Sequence, residues 1–138
     1  MIKYILSKNF ILFCCVYFIL SVNNLRLKIS FTPEWYDGGL IKQHNQLLNF
    51  SYINHEQSRL LQFYVPDFFV QLFSLSIPHA YSLRRLLFVF LSFVCFHLYM
   101  KKWFNDSITF AGVIFLAAIM PVTYMDHLQE STTILMFL

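Results

Sequence analysis

Charge is scarce in this chain: 12% of its 138 residues are Asp, Glu, Lys or Arg, against 58% hydrophobic and 20% aromatic. A water-soluble domain of that composition would keep apolar surface it could not bury, so the solvent is expected to be lipid. Glycine is nearly absent, with 3 in the chain. No Gly-rich phosphate loop or nucleophile elbow is present, which argues against soluble nucleotide-dependent chemistry. Cysteine is rare too, and Cys14, Cys15 and Cys95 all fall inside apolar runs. A thiol there acts as a small hydrophobe, so neither a disulfide framework nor a redox compartment follows. No basic stripe with interleaved stacking aromatics occurs in a polar context, so the net charge of +3 points to orientation and anionic headgroups rather than nucleic acid. Internal repeats and low-complexity tracts are missing as well.

What the chain does have is three apolar runs fenced by charges. Ser107 to Met125 lies between Asp106 and Asp126 and, as a helix, reaches about 28 Å, close to the ~30 Å hydrocarbon layer. Leu86 to Met100, between Arg85 and Lys101, covers about 22 Å and is lengthened by basic side chains that extend toward the headgroups. The first run, Asn9 to Leu25, follows Lys3 and Lys8 and has its apolar heart at Phe10 to Leu20. A cleaved secretory signal is the rival reading of that run, although no Ala-x-Ala-like site precedes Asn23.

These runs predict an all-α, polytopic helical membrane protein, multi-pass in the cell inner or plasma membrane. It is read as one membrane-embedded domain, 1–138, with about three transmembrane helices at about 9–25, 83–104 and 107–125. An outer loop with interfacial helices occupies 26–82. A further apolar run opens at Ser131 and reaches only about 12 Å by Leu138, so the chain reads as truncated. A small protein whose last residues lie in the interface is the alternative.

Within the loop, Pro33, Gly38 and Gly39 predict a turn, and Leu40 to Phe50 a short amphipathic helix at the surface. Leu60 to Ile77 is long enough to cross but carries Gln62, Pro66, Asp67 and Gln71. An ionised Asp at mid-bilayer costs roughly 2.5–3.5 kcal/mol on insertion scales, which favours three spans over four. The positive-inside rule leaves both open, because Lys101 and Lys102 in one topology are replaced by Arg84 and Arg85 in the other.

The order of features then becomes informative. One span is followed by an outer loop with an early acid, Glu34-Trp35-Tyr36-Asp37-Gly38-Gly39, and an interfacial segment with Pro66. Ser82-Leu83-Arg84-Arg85 leads a span ending in Tyr99-Met100-Lys101-Lys102, and another span closes with Pro121, nine residues before Glu130. This pattern resembles the N-terminal part of GT-C class glycosyltransferases, the multi-span enzymes that include protein mannosyltransferases and aminoarabinose transferases. The resemblance covers nearly the whole chain as a pattern of spacings.

It implies transfer of a sugar from a polyprenyl-phosphate carrier to an acceptor on the non-cytoplasmic face, by a chain inactive as this piece alone. The partners implied are membrane lipid and a lipid-linked sugar, with no cofactor besides that donor. An acid in the first outer loop is the family's catalytic residue, since an acceptor hydroxyl must lose its proton as it attacks the anomeric carbon. Asp37 is the first candidate, Glu34 the second, and Glu130 a further acid facing the same site. The leaving lipid phosphate needs cations near the headgroup plane, for which Arg84, Arg85 and Arg59 are the candidates. Plainer roles stand beside these: a solvated Asp-Gly-Gly turn, a polar helix end at Glu130, and snorkelling arginines.

Of the histidines, His44 reads as a surface residue and His97 as hydrogen-bonded to a neighbouring helix. His55 with Glu56, and His127 with Asp126 and Glu130, lack metal-ligand spacing, so no metal is expected. Trp35, Tyr36, Trp103 and Phe104 flank the spans, where aromatic belts form. Two other classes remain: a non-enzymatic accessory or assembly subunit, and a piece of a polysaccharide polymerase or transporter.

Overall fold

A computed structural model of the chain describes residues 2–5, 7–26, 38–50 and 61–119. Among these residues the structure is all-helical: α1 (Ile2–Ile5), α2 (Lys8–Arg26), α3 (Gly38–Lys42), α4 (His44–Leu48), α5 (Leu61–Phe73), α6 (Ile77–Met100) and α7 (Asp106–Ile119). They form two compact units, Met1–Lys28 with Phe88–Leu138, and Ile29–Leu87.

The first unit holds α1, α2, α7 and the second half of α6. Ser7 starts α2 by accepting the Phe10 N–H on its hydroxyl at 3.2 Å, and Asn105 starts α7 by accepting the Ile108 N–H at 3.0 Å. Each is an N-cap that satisfies a donor the helix itself leaves open. Side-chain pairs fix the directions. Phe10 meets His97 at 5.5 Å, and Phe18 meets Phe90 at 6.2 Å, so α2 and α6 run antiparallel. Phe13 stacks on Phe110 at 5.2 Å, and Tyr4 reaches Asp106, so α7 runs back alongside α2. The shared core is Tyr17, Val89, Phe93, Val113 and Ala117.

The outer faces of these helices are apolar. On α2 the exposed residues include Ile11, Leu12, Cys15, Phe18 and Ile19, and on α7 Ile108, Ala111, Phe115 and Ile119, recurring every three to four residues. Leu12 is 63% and Phe115 68% exposed, while Ser21, Ser92, His97 and Thr109 inside are wholly buried.

Among the described residues only α6 is long and apolar enough to cross a membrane, the apolar parts of α2 and α7 being shorter there. α6 starts at Ile77 rather than near 83. Pro78 explains the early start, since its fixed φ and missing N–H suit a first helical turn.

In the second unit α4 packs on α5, and Leu47 and Phe63 are buried. Gly38 and Gly39, read as a turn, instead open α3, and the expected single amphipathic helix is two short ones divided at Gln43. Within the segment 60–77, Leu61–Phe73 forms α5 with Pro66 inside it; at about 20 Å of helical length α5 is short for a crossing. α5 ends at Ser74, whose φ of 53° places a non-glycine residue in the left-handed region at the helix C-terminus.

Gly112 sits where α7 meets α6: an added Cβ would lie 3.5 Å from the Met100 side chain and 3.6 Å from Phe96, ordinary contact distances. Gly112→Ala should therefore raise unfolding stability by about 0.5–1 kcal/mol through reduced backbone entropy. Gly112→Leu should lower it by overpacking. Denaturant unfolding in detergent distinguishes the two.

Candidate functional site

Two polar clusters are built into the fold, one in each unit. In the first, His97 on α6 is gripped from both sides: the Tyr17 hydroxyl lies 2.5 Å from Nδ1 and the Tyr4 hydroxyl 2.9 Å from Nε2. Tyr4 donates its proton to Asp106 Oδ1 at 2.7 Å. That direction fixes the others. With its proton committed, the Tyr4 oxygen accepts from Nε2–H, which leaves Nδ1 to accept from Tyr17. Lys101 Nζ closes the chain at 2.6 Å from the same Asp106 oxygen and lies 5.3 Å over the Tyr4 ring.

Lys101, then the Tyr4 hydroxyl, holds the Asp106 carboxyl below its ordinary value. Burial, followed by the bond to Asp106, pushes the Tyr4 hydroxyl up. A neutral phenol between an imidazole and a carboxylate is thus maintained at any physiological pH. The arrangement ties α1, α2, α6 and α7 together and can pass a proton between His97 and Asp106 through Tyr4.

The second cluster contains two of the expected site residues. Arg84 is wholly buried and Arg85 nearly so. They are not snorkelling anchors, because those keep their charged heads in water. The Arg84 guanidinium carbon stands 5.2 Å over the Tyr81 ring, a cation–π contact. The Tyr81 hydroxyl lies 3.1 Å from His44 Nδ1, and His44 Nε2 faces Asp67 Oδ1 at 3.6 Å. Gln71, one turn on, donates to the other Asp67 oxygen at 2.6 Å.

His44 is therefore a buried residue and not the surface histidine its polar sequence surroundings imply. Burial lowers its pKa, opposed by the nearby Asp67 carboxylate. Asp67, which is costly at mid-bilayer, is here paired with His44 and Gln71 in the loop-derived unit. A periodicity signal for His44 existed in its place three residues before the core residue Leu47.

Glu34, Asp37, Glu130 and Arg59 lie outside the described residues, as do His55, Glu56, Asp126 and His127. His97 is bonded to neighbouring helices as expected. All three cysteines are free thiols. Among the described residues no group of His, Cys, Asp and Glu has the makings of a metal site. Trp103 and Phe104 are exposed just past the end of α6.

Two predictions follow from these clusters. Tyr17→Phe leaves Nδ1 of a buried imidazole without its donor and should cost about 1–3 kcal/mol. The Tyr17→Phe/His97→Leu double variant should lose less stability than the sum of the two single losses, as a double-mutant cycle in detergent would reveal. For His44 the sign is set by a pKa lowered on folding. The unfolded chain binds the proton first, so stability present above about pH 6.5 is lost as pH falls from there through the folded pKa. Melting temperatures taken between about pH 7.5 and about pH 5.5 should fall more steeply in the wild type than in His44→Asn.

Comparison with protein-family models, with curated proteins and with solved structures gives no match.

Proposed function

We propose that the chain is a multi-pass membrane protein crossing at α2, α6 and α7, and that it forms the front portion of a glycosyltransferase that uses a polyprenyl-phosphate sugar. The membrane part rests on the apolar stripes of α2 and α7, which face outward while the interior holds Tyr17, Ser21, Ser92, His97 and Thr109. Soluble monomers rarely expose contiguous apolar faces of this kind, and membrane bundles place their polar side chains toward one another. The antiparallel order of α2, α6 and α7 brings Lys8, Lys101 and Lys102 to one end of the first unit, which this reading takes as the cytoplasmic end.

The observation that carries the transferase reading is the pair Arg84 and Arg85, shielded from solvent near the start of the crossing helix. In this reading Asp37 takes the proton of the acceptor hydroxyl as its oxygen attacks the anomeric carbon, and Glu34 and Glu130 are the further candidate acids. The bond from that carbon to the carrier phosphate breaks, the phosphate keeps the electron pair, and Arg84, Arg85 and Arg59 stabilise its charge.

A second reading, a non-enzymatic membrane subunit, draws support from the first cluster: Tyr4, Tyr17, His97, Lys101 and Asp106 satisfy one another, as a structural network does.

Single cysteines at positions 37 and 130, in a background lacking Cys14, Cys15 and Cys95, test the topology. Both should be labelled from the non-cytoplasmic side, and labelling from opposite sides would remove the shared site. In a form of the protein competent for transfer, Asp37→Asn should abolish turnover while insertion persists. Undiminished transfer would favour the subunit reading.

A further inference from the structure

A pocket of about 270 Å³ opens at the lysine end of the first unit, walled by Tyr4, Leu98, Lys101 and Lys102. At ~30 Å³ per water it has room for about nine waters, the scale of a headgroup rather than a whole lipid. Its charge is positive. Asp106 offsets Lys101 at 2.6 Å, while the exposed Lys102 ammonium lies 5.9 Å over the Tyr99 ring. Two ammonium groups against one carboxylate leave a net charge of one. That excess sits at the edge of an apolar bundle, where the low-dielectric wall focuses it outward.

A second concavity lies along α2. It is an open groove of about 640 Å³, lined by Ile5, Phe10, Ile11, Phe18, Ile19 and Phe90 among others. Tyr4 walls the pocket and Phe10 the groove, and their rings are in contact at 5.5 Å, so one aromatic pair separates the two. A cationic nook thus stands next to an apolar channel at the end of the membrane-length helix α6.

We propose that this pair of sites holds an anionic phospholipid, its phosphate between Lys101 and Lys102 and an acyl chain in the α2 groove. The inference rests on the membrane reading above and is independent of the transferase reading. Charge complementarity selects the occupant: a zwitterionic headgroup brings its own cation and gains little from Lys102, whereas an anionic one completes the charge balance. Lys101 is the preformed element, held by Asp106, and Lys102 is the variable one. Tyr4 contributes its ring face, since its hydroxyl is committed to His97 and Asp106.

Trp103, 71% exposed and next in sequence to Lys102, reports on the site. With Trp35→Phe it becomes the sole tryptophan of the chain, which has 2. The full chain is reconstituted in phosphatidylcholine vesicles containing equal mole fractions of either acyl-brominated phosphatidylglycerol or acyl-brominated phosphatidylcholine. Brominated phosphatidylglycerol should quench Trp103 more strongly. Lys102→Gln should reduce the apparent preference about fivefold, the effect of one lysine near an anionic surface. Lys102→Arg should retain it.

Equal quenching by the two lipids, or a preference that survives Lys102→Gln, would overturn the headgroup site and leave the membrane reading standing. Quenching by neither lipid would overturn both. If inorganic phosphate at constant ionic strength abolishes the preference, the pocket binds a free anion and the lipid assignment falls.

Discussion

An imidazole can be kept among apolar helices only if both its nitrogens are bonded, and the first unit is organised around meeting that condition at His97. An unpaired buried polar group costs about 1–3 kcal/mol, a large share of a small domain's stability. Tyr17 supplies one bond from α2 and Tyr4 the other from α1. Because Tyr4 also needs an acceptor, Asp106 at the start of α7 is drawn to the same point. Each helix of the unit is placed by its obligation to this one ring. Phe10 and Phe13 then pack on the imidazole at 5.5 and 5.2 Å and keep water from competing for its bonds.

The same demand explains the minor polar residues. Ser21 and Ser92, both buried, return their hydroxyls to the carbonyls of Tyr17 and Phe88, four residues back on their own helices, at 2.7 and 2.8 Å. Local bonds of this kind satisfy a hydroxyl in an apolar setting. His97, Ser21 and Ser92 are bonded in the interior, and the outward faces of α2 and α7 are dominated by apolar side chains such as Ile11, Leu12, Phe18, Ile108 and Phe115. In water that distribution would be a liability; in lipid it leaves packing contacts and interhelical hydrogen bonds to hold the bundle.

Helices α2, α6 and α7 were legible in the sequence because each is an apolar run with charges or caps at its ends. The N-terminal bound of α6 was not, since Arg84 and Arg85 mark a membrane edge in sequence while the helix continues back through them to Pro78. Buried charge was equally hidden: nothing local distinguishes an arginine stacked on Tyr81 from one reaching into headgroups. The two clusters depend on pairings that join Tyr4 to Asp106 across 102 positions and His44 to Tyr81 across 37. Periodicity has no access to such separations, so the partners of His44 were not legible, although its place three residues before Leu47 carries a signal for burial. His97 was inferable in kind, since a polar residue within a span needs a neighbouring helix, but its tyrosine partners were not. The acids Glu34, Asp37 and Glu130 remain readings of the sequence, on residues outside those described.

The turn between α6 and α7 shows how charge can fix a corner that apolar packing leaves loose. Backbone bonds from Lys101 to His97 and from Phe104 to Met100, at 2.9 and 3.0 Å, wind the chain past the end of α6. Helix dipoles favour a cation at the C-terminus of α6 and an anion at the N-terminus of α7, and Lys101 and Asp106 occupy those two places. Their 2.6 Å bridge joins the termini across the turn, and Asn105 caps the next helix from within it. An exposed ion pair alone contributes little. Here its partners are also fixed by Tyr4 and by the two dipoles, so the pair acts as part of the His97 network. The result is a corner fixed by charge, with Lys102 and Trp103 presented outward.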